Sequence, residues 1–301
     1  MKKIFNSITS IFLLAVLFLT GCGSAPSGSD SGLSVIASTT FLADITQNIA
    51  GDRAQVKSLL PIGADPHAYQ AAPADVTLIE KSDLIILNGL EYEHFIESLL
   101  ENAKGEAVVI EASAGLSPRE DAESEHGVDP HMWLDPNLVI TYVENIRDGL
   151  TQVDPAGEAM YKANADAYIA QLKELNTWIE ERVNVIPEDS RLLVTNHEAM
   201  GYFAERYKFE VAGSVIPSFS SNAAPSAQEM AGLIDEIKKL RAPAIFMDTA
   251  DNDTLARQVA NETGVMIVND LHLESLTDGA PAGTYLDMMR HNVSRIVEAF
   301  K

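Results

Sequence analysis

Residues 154–187 read DPAGEAMYKANADAYIAQLKELNTWIEERVNVIP, and this stretch decides the fold. Asp154 can cap a helix that begins at Pro155, because proline lacks an N–H where the first turn has no use for one. The run then continues to Val185 and stops before Pro187. Tyr161, Ala165, Tyr168, Leu172, Leu175 and Ile179 fall three and four apart, one apolar stripe at helical spacing. About 30 residues at the α-helical rise span roughly 45 Å. Residues 154–186 are therefore expected to form one linking helix packed along the body of the protein. A coiled-coil dimer would use the same stripe. The heptads are few and chain on both sides is available to cover them, which favours a monomer.

On the N-terminal side, short apolar runs alternate with stretches of helical spacing. Leu33–Ala37, Ala54–Leu60, Ser82–Leu87 and Ala107–Ile110 read as strands, with helices at Thr40–Ala50, Asp75–Lys81 and Glu91–Ala103. On the C-terminal side the theme repeats. Strands are expected at Arg191–Thr195, Phe209–Val215, Ala244–Asp248 and Val265–Val268, and helices at Ala199–Arg206, Ala227–Leu240, Asp253–Thr263 and Gly283–Phe300. Ser226 followed three residues later by Glu229 makes a capping box. Such alternation implies βα units around a mostly parallel sheet. The expected fold class is α/β: lobes at 33–153 and 187–301, each a mostly parallel sheet flanked by helices, joined by one long rigid α-helix. A single stiff connection keeps cleft motion small.

The N-terminus indicates the compartment. Met1-Lys2-Lys3 is positive, Ile11–Leu19 is apolar, and small residues precede Cys22. Residues 1–21 thus have the form of a bacterial lipoprotein signal. The apolar run is too short to be a stable membrane span. Residues 22–32, rich in Ser, Gly and Pro, follow as a flexible tether. Cys22 is the only cysteine in the chain, which rules out an internal disulfide and is accounted for as the lipidation site. The mature protein is expected to be lipid-anchored to the outer face of the cytoplasmic membrane. Loss of residues 1–21 leaves 19 basic against 44 acidic side chains, a formal charge of −25. That charge repels nucleic acid and attracts cations. With 46% hydrophobic and 22% charged residues, the chain can bury a sizeable core.

The chemistry lies in three histidines: Asp65-Pro66-His67, Asp129-Pro130-His131-Met132-Trp133-Leu134-Asp135 and Thr195-Asn196-His197-Glu198. Proline fixes its own φ and makes the preceding residue extended, so each Asp-Pro-His presents its imidazole from a stiff, non-helical turn. Imidazole is the commonest protein ligand for late first-row divalent ions, and a neighbouring carboxylate can orient it. His197-Glu198 lacks the second histidine of a zinc-protease helix, since position 201 is glycine. Neither a Gly-x-Ser-x-Gly elbow nor a P-loop occurs in the chain. Trp133 is expected to wall the site and Trp178 to belong to the linking helix. His94, His126 and His291 are read as solvated or hydrogen-bonded, with His126 in the acidic stretch Arg119–Asp129.

Taken together, Ile36-Ala37-Ser38-Thr39-Thr40-Phe41, Gly63-Ala64-Asp65-Pro66-His67-Ala68-Tyr69, Asn88-Gly89-Leu90-Glu91, Asp129–Pro136 and Asn196–Phe203 resemble the solute-binding receptors of bacterial zinc and manganese ABC importers, the cluster A-I group. The resemblance covers essentially the whole mature chain. It implies a metal held between two α/β lobes, with His67 and His131 from the first and His197 as third ligand. Histidine there is the zinc-type choice, where manganese-type receptors often carry glutamate. The fourth ligand is a carboxylate in Asn269-Asp270-Leu271-His272-Leu273-Glu274-Ser275. The best register chooses Glu274, with Asp270 as the fallback. Asp65, Asp129, Trp133, Glu198 and His272 are expected around the ligands or in the cleft.

Three imidazoles and one carboxylate suit Zn²⁺ at four-coordination, while Mn²⁺, the alternative cargo, prefers more oxygen. A complete cage leaves no position for an activated water, so capture is expected and catalysis is not. The resemblance also implies a membrane permease and its ATPase as partners. Manganese or iron receptors of the same family are the alternative within that class. A zinc-dependent hydrolase using Glu274 as a base is the alternative outside it, as is a surface scaffold in which the metal only stabilises the fold.

Overall fold

The structure, a computed structural model, describes residues 32–102, 105–119 and 127–301. The signal at 1–21, Cys22, most of the tether and His126 lie outside the described residues. Gly32–Lys301 forms one compact unit. Its first half contains strands β1 (Leu33–Ala37), β2 (Ala54–Ser58), β3 (Leu84–Leu87) and β4 (Val108–Glu111), with helices α1 (Thr40–Ala50), α2 (Pro73–Glu80), α3 (Glu97–Asn102) and α4 (Val139–Val153). Helix α5 (Glu158–Val183) follows. The second half contains β5 (Leu192–Thr195), α6 (Gly201–Tyr207), β6 (Glu210–Ser214), α7 (Ala227–Leu240), β7 (Ala244–Asp248), α8 (Thr254–Thr263), β8 (Met266–Leu271) and α9 (Tyr285–Glu298).

The two sheets have the same topology. Their strand orders are β2-β1-β3-β4 and β6-β5-β7-β8, and every pairing is parallel. The period of two along the strands sorts the apolar residues into layers. Val35, Ala37, Leu84 and Ile86 face a central core, whereas Ile36, Ile85 and Leu87 face an outer layer with Ile79 and Ile96. In the second sheet Leu193, Ala244 and Phe246 face the same central core, and Val194, Ile245 and Met247 face α7 and α8 through Leu233, Ile237 and Val259. Sheets covered on both faces in this way are the expected home of parallel strands.

The central core runs unbroken from one half to the other. Its spine is α5, whose stripe Tyr161, Ala165, Tyr168, Leu172, Leu175 and Ile179 is buried, continuing to Val183. Helices α1 and α4 pack on α5 from the first half and α9 from the second. Helix α9 also reaches α1, where Tyr285 N–H donates to Asp44 Oδ2 at 2.9 Å. Three details depart from the sequence reading. Residues Pro155–Gly157 form a 3₁₀ turn before α5, and the Asp154 carboxylate does not cap a helix. It accepts instead from Arg53 at 2.6 and 2.8 Å and from the Tyr161 hydroxyl at 2.6 Å, strong charge-assisted partners that outcompete a cap. Glu91–Ile96 is a coil of turns, and helix begins only at Glu97, because Gly89, Leu90 and Glu91 all adopt left-handed φ. Helix α4 was absent from the sequence reading. The capping box at Ser226 and Glu229 forms.

Candidate metal centre

Parallel sheets gather function where strands end, because the loops leaving their carboxyl ends surround one crevice. Here that rule applies twice, and both sheets send loops to one place. His67 lies in the loop after β2, His197 two residues beyond β5 and Glu274 three residues beyond β8. His131 precedes the 3₁₀ turn Met132–Leu134.

The repeated Asp-Pro-His forms the same turn both times. Asp65 Oδ1 accepts the His67 backbone N–H at 2.8 Å, and Asp129 Oδ1 accepts that of His131 at 3.0 Å. A short carboxylate that binds the amide two residues on is the turn chemistry aspartate favours, and proline between them removes the competing donor. Asp129 does more: its Oδ1 lies 2.9 Å from His131 Nδ1. That contact fixes the proton on Nδ1 and turns the Nε2 lone pair inward.

The second half holds its two groups through carboxylates at the end of β7. Asp248 accepts backbone N–H groups from Ala250 at 2.7 Å, from Glu274 at 3.3 Å and from Leu273, pinning the backbone at the glutamate and the residue before it. Trp133 Nε1 donates to the Leu273 carbonyl at 2.7 Å across the two halves, and its ring stacks on Phe41 with centroids 4.7 Å apart. It is fully buried, with its ring centroid 5.1 Å from that of His131.

His67, His131, His197 and Glu274 each bring one ligand atom into a group whose members lie within 4.8 Å of one another. Glu274 Oε1 is 3.0 Å from His67 Nε2, 3.6 Å from His131 Nε2 and 3.8 Å from His197 Nε2. Among the described residues, His131 Nε2 and both ring nitrogens of His197 are buried without a hydrogen-bond partner. Orphaned lone pairs converging on one carboxylate are what a cation would satisfy, so the donor set fits a divalent ion. Burial alone would raise the Glu274 carboxyl, but the three surrounding imidazoles reverse this and hold it well below the usual carboxylate range. Burial likewise opposes charge on His197. The Asp251 carboxylate 3.7 Å away, with Glu274 and Asp248, overrides it and pushes the imidazole up to about 9. His131 is raised too, against burial, by Asp129 and Glu274.

The other expected neighbours divide. Asp65 joins the turn of His67. Glu198 is half-buried and lines a cavity of about 290 Å³ with Arg119 and Asp129. Asp270 is drawn away from the cluster: its carboxylate pairs with Arg295 at 2.8 Å and is 45% exposed. His272 turns instead toward His291, ring centroids 5.2 Å apart, because its backbone is tied to Asn292 on α9. His94 is exposed and bonded to Glu97. Sequence reasoning missed Asp248 and Asp251. Their place at the carboxyl end of a central parallel strand was the available signal.

The matching family model is described as zinc-uptake complex component A, periplasmic (ZnuA), and it spans residues 35–299. The chain is 36% identical to the manganese-binding lipoprotein MntA of Halalkalibacterium halodurans over 304 residues, covering 99% of this chain and 98% of that one. Among solved structures, a manganese-bound periplasmic metal binding protein from Candidatus Liberibacter asiaticus superposes with a TM-score of 0.80 at 30% identity, covering 89% of this chain and all of the other. The periplasmic zinc binding protein TroA from Treponema pallidum gives 0.83 at 28% identity, covering 89% and 99%. Such relatives are solute-binding receptors and not enzymes. A family match across nearly the whole described body, carrying the same α/β architecture, makes this chain a member of the zinc-uptake component A family of metal-binding ABC solute receptors.

Proposed function

We propose that the chain captures a single zinc ion outside the cytoplasm and hands it to the membrane permease of an ABC importer, driven by that importer's ATPase. His67, His131, His197 and Glu274 are the ligands. The observation that carries this reading is the donor set itself, three imidazole nitrogens and one carboxylate oxygen gathered within 4.8 Å. This N₃O cage suits tetrahedral Zn²⁺, whose preferred distances to these donors are about 2.0 to 2.2 Å. His67 and His131 come from one half and His197 and Glu274 from the other, so a small separation of the halves dismantles the cage without a protonation step. Residues 1–21 act as the lipoprotein signal, Cys22 carries the lipid and residues 22–32 tether a monomeric body at the outer face of the membrane. Among the described residues no helix is long and apolar enough to cross a membrane.

Manganese is the second reading, favoured by the 36% identity to a manganese-binding lipoprotein. The donor chemistry weighs against it, because Mn²⁺ binds N/O sites more weakly than Zn²⁺ and favours oxygen-rich shells. The test is elemental analysis of tag-free protein, with competition against a chelator of known zinc affinity. One zinc per chain, displaced by manganese only in large excess, is expected. Manganese bound as tightly as zinc would overturn the zinc assignment.

A further inference from the structure

The four ligands are not equally enclosed. The side chains of His131, His197 and Glu274 are 0–2% exposed, whereas that of His67 is 12% exposed. His67 also sits on residues 59–72, which contain no helix or strand, while His197 and Glu274 lie within three residues of a strand end and His131 leads into a buried 3₁₀ turn. Within its own half this loop is anchored at its two ends, where the Leu59 and Leu60 N–H groups donate to the Ala37 and Ser38 carbonyls at 2.8 and 3.1 Å and the Tyr69 hydroxyl donates to Asp75 on α2 at 2.9 Å. Between those ends it is held from the opposite half, first at Gly63, whose N–H donates to Ser275 Oγ at 2.8 Å. Ser221 Oγ donates to Asp65 Oδ2 at 2.8 Å, and Asn222 Nδ2 donates to the His67 carbonyl at 2.6 Å. A cavity of about 130 Å³ lies along the same seam, between His67, Tyr92 and Pro130 on one side and Ser218, Phe219 and Ser220 on the other. His94, 68% exposed, marks its rim.

We propose that the His67 loop is the door through which the ion exchanges with bulk solvent in the free receptor, apart from any separation of the halves at the permease, and that Ser221 and Asn222 are its latch. The inference rests on the metal-receptor reading above and adds a route and two positioning residues to it. Swinging the loop removes one ligand and opens the seam beside the cage, while three ligands stay in place. Neither latch bond uses a ring nitrogen of His67, so both are compatible with the imidazole bound to an ion or free of one. Opening therefore precedes entry and exit alike, and weakening the latch speeds both by the same factor.

The test is stopped-flow zinc binding and chelator-driven zinc release by the Ser221→Ala/Asn222→Ala double variant beside the parent protein. Two hydrogen bonds are lost, so association and dissociation rates are each expected to rise on the order of 10- to 30-fold, with the equilibrium affinity unchanged. Because Ser221 is half-buried and Asn222 exposed, the variant keeps its core. Unchanged rates would overturn the proposal. Faster release with unaltered association would also overturn it, since these residues would then only position His67 in the bound state. A parent protein that binds no zinc would instead refute the receptor reading itself.

Discussion

Replacing Glu274 with glutamine keeps the volume and removes the charge, which makes it the sharpest probe of the cage. Its carboxylate lies 3.0 to 3.8 Å from three imidazole nitrogens, with a side chain only 2% exposed. A divalent ion seated among those nitrogens would keep three neutral donors and lose the one anion that offsets its charge in a site shut off from water. Removing one partner of a buried ion pair costs about 3 to 5 kcal/mol, which converts to an affinity loss of roughly 140- to 3700-fold at about 1.4 kcal/mol per decade. Competition against a fluorescent zinc chelator measures this directly. The control is Asp270→Asn, four residues earlier in the chain, whose carboxylate faces Arg295. It is expected to leave zinc affinity within about twofold, since surface ion pairs contribute about 0 to 1 kcal/mol to stability and none of this one reaches the cage. If Glu274→Gln bound zinc within a few-fold of the parent, the glutamate would not be a ligand, and a three-histidine site with an open position would have to replace the carrier.

Zinc affinity should fall with acidity. His197 is pushed up to about 9, so across the neutral range an incoming ion must displace its proton, and the upward shift of His131 acts in the same direction. Apparent affinity is expected to rise by at least tenfold per pH unit between about pH 6 and 8 and to flatten above 9, and a pH-independent affinity in chelator titrations would refute the assignment. In the metal-free protein the sign is opposite for stability: the contribution of His197 is complete below its unfolded value of about 6.5 and disappears as pH rises through about 9. In the spine, Leu172→Ala is expected to cost about 2 to 5 kcal/mol, read by denaturant unfolding. Because Leu172 belongs to the core shared by both halves, the loss should appear as one shifted transition, and two separate transitions would contradict a shared core.

The sequence carried much of the architecture because its signals were local. Short apolar runs such as Leu33–Ala37 and Ala244–Asp248 match their strands, and the three-and-four stripe from Tyr161 to Ile179 matches the buried face of α5. Local signals failed where a distant partner decided the outcome. Asp154 looks like a cap until Arg53 arrives from the first half, and Glu91–Ile96 looks helical until left-handed φ at Leu90 and Glu91 breaks it. At the site, Asp-Pro-His announced itself because its turn is made within three residues. The supporting carboxylates Asp248 and Asp251 did not, for their partners Glu274 and His197 lie 26 and 54 positions away. Register chose Glu274 over Asp270, but the contact that draws the aspartate off, Arg295 on α9, is again a distant one.

Because α9 returns from the end of the chain to lie on α5 and α1, the connection at residues 184–191 is not what keeps the molecule in one piece. A protease that cut there would sever a peptide bond and little else. The fragments would remain clasped through Tyr285, Met288, Val293 and Ile296, side chains that neither piece can leave bare in water. Such a nicked receptor should elute from a sizing column as an intact particle, and it should come apart only in denaturant.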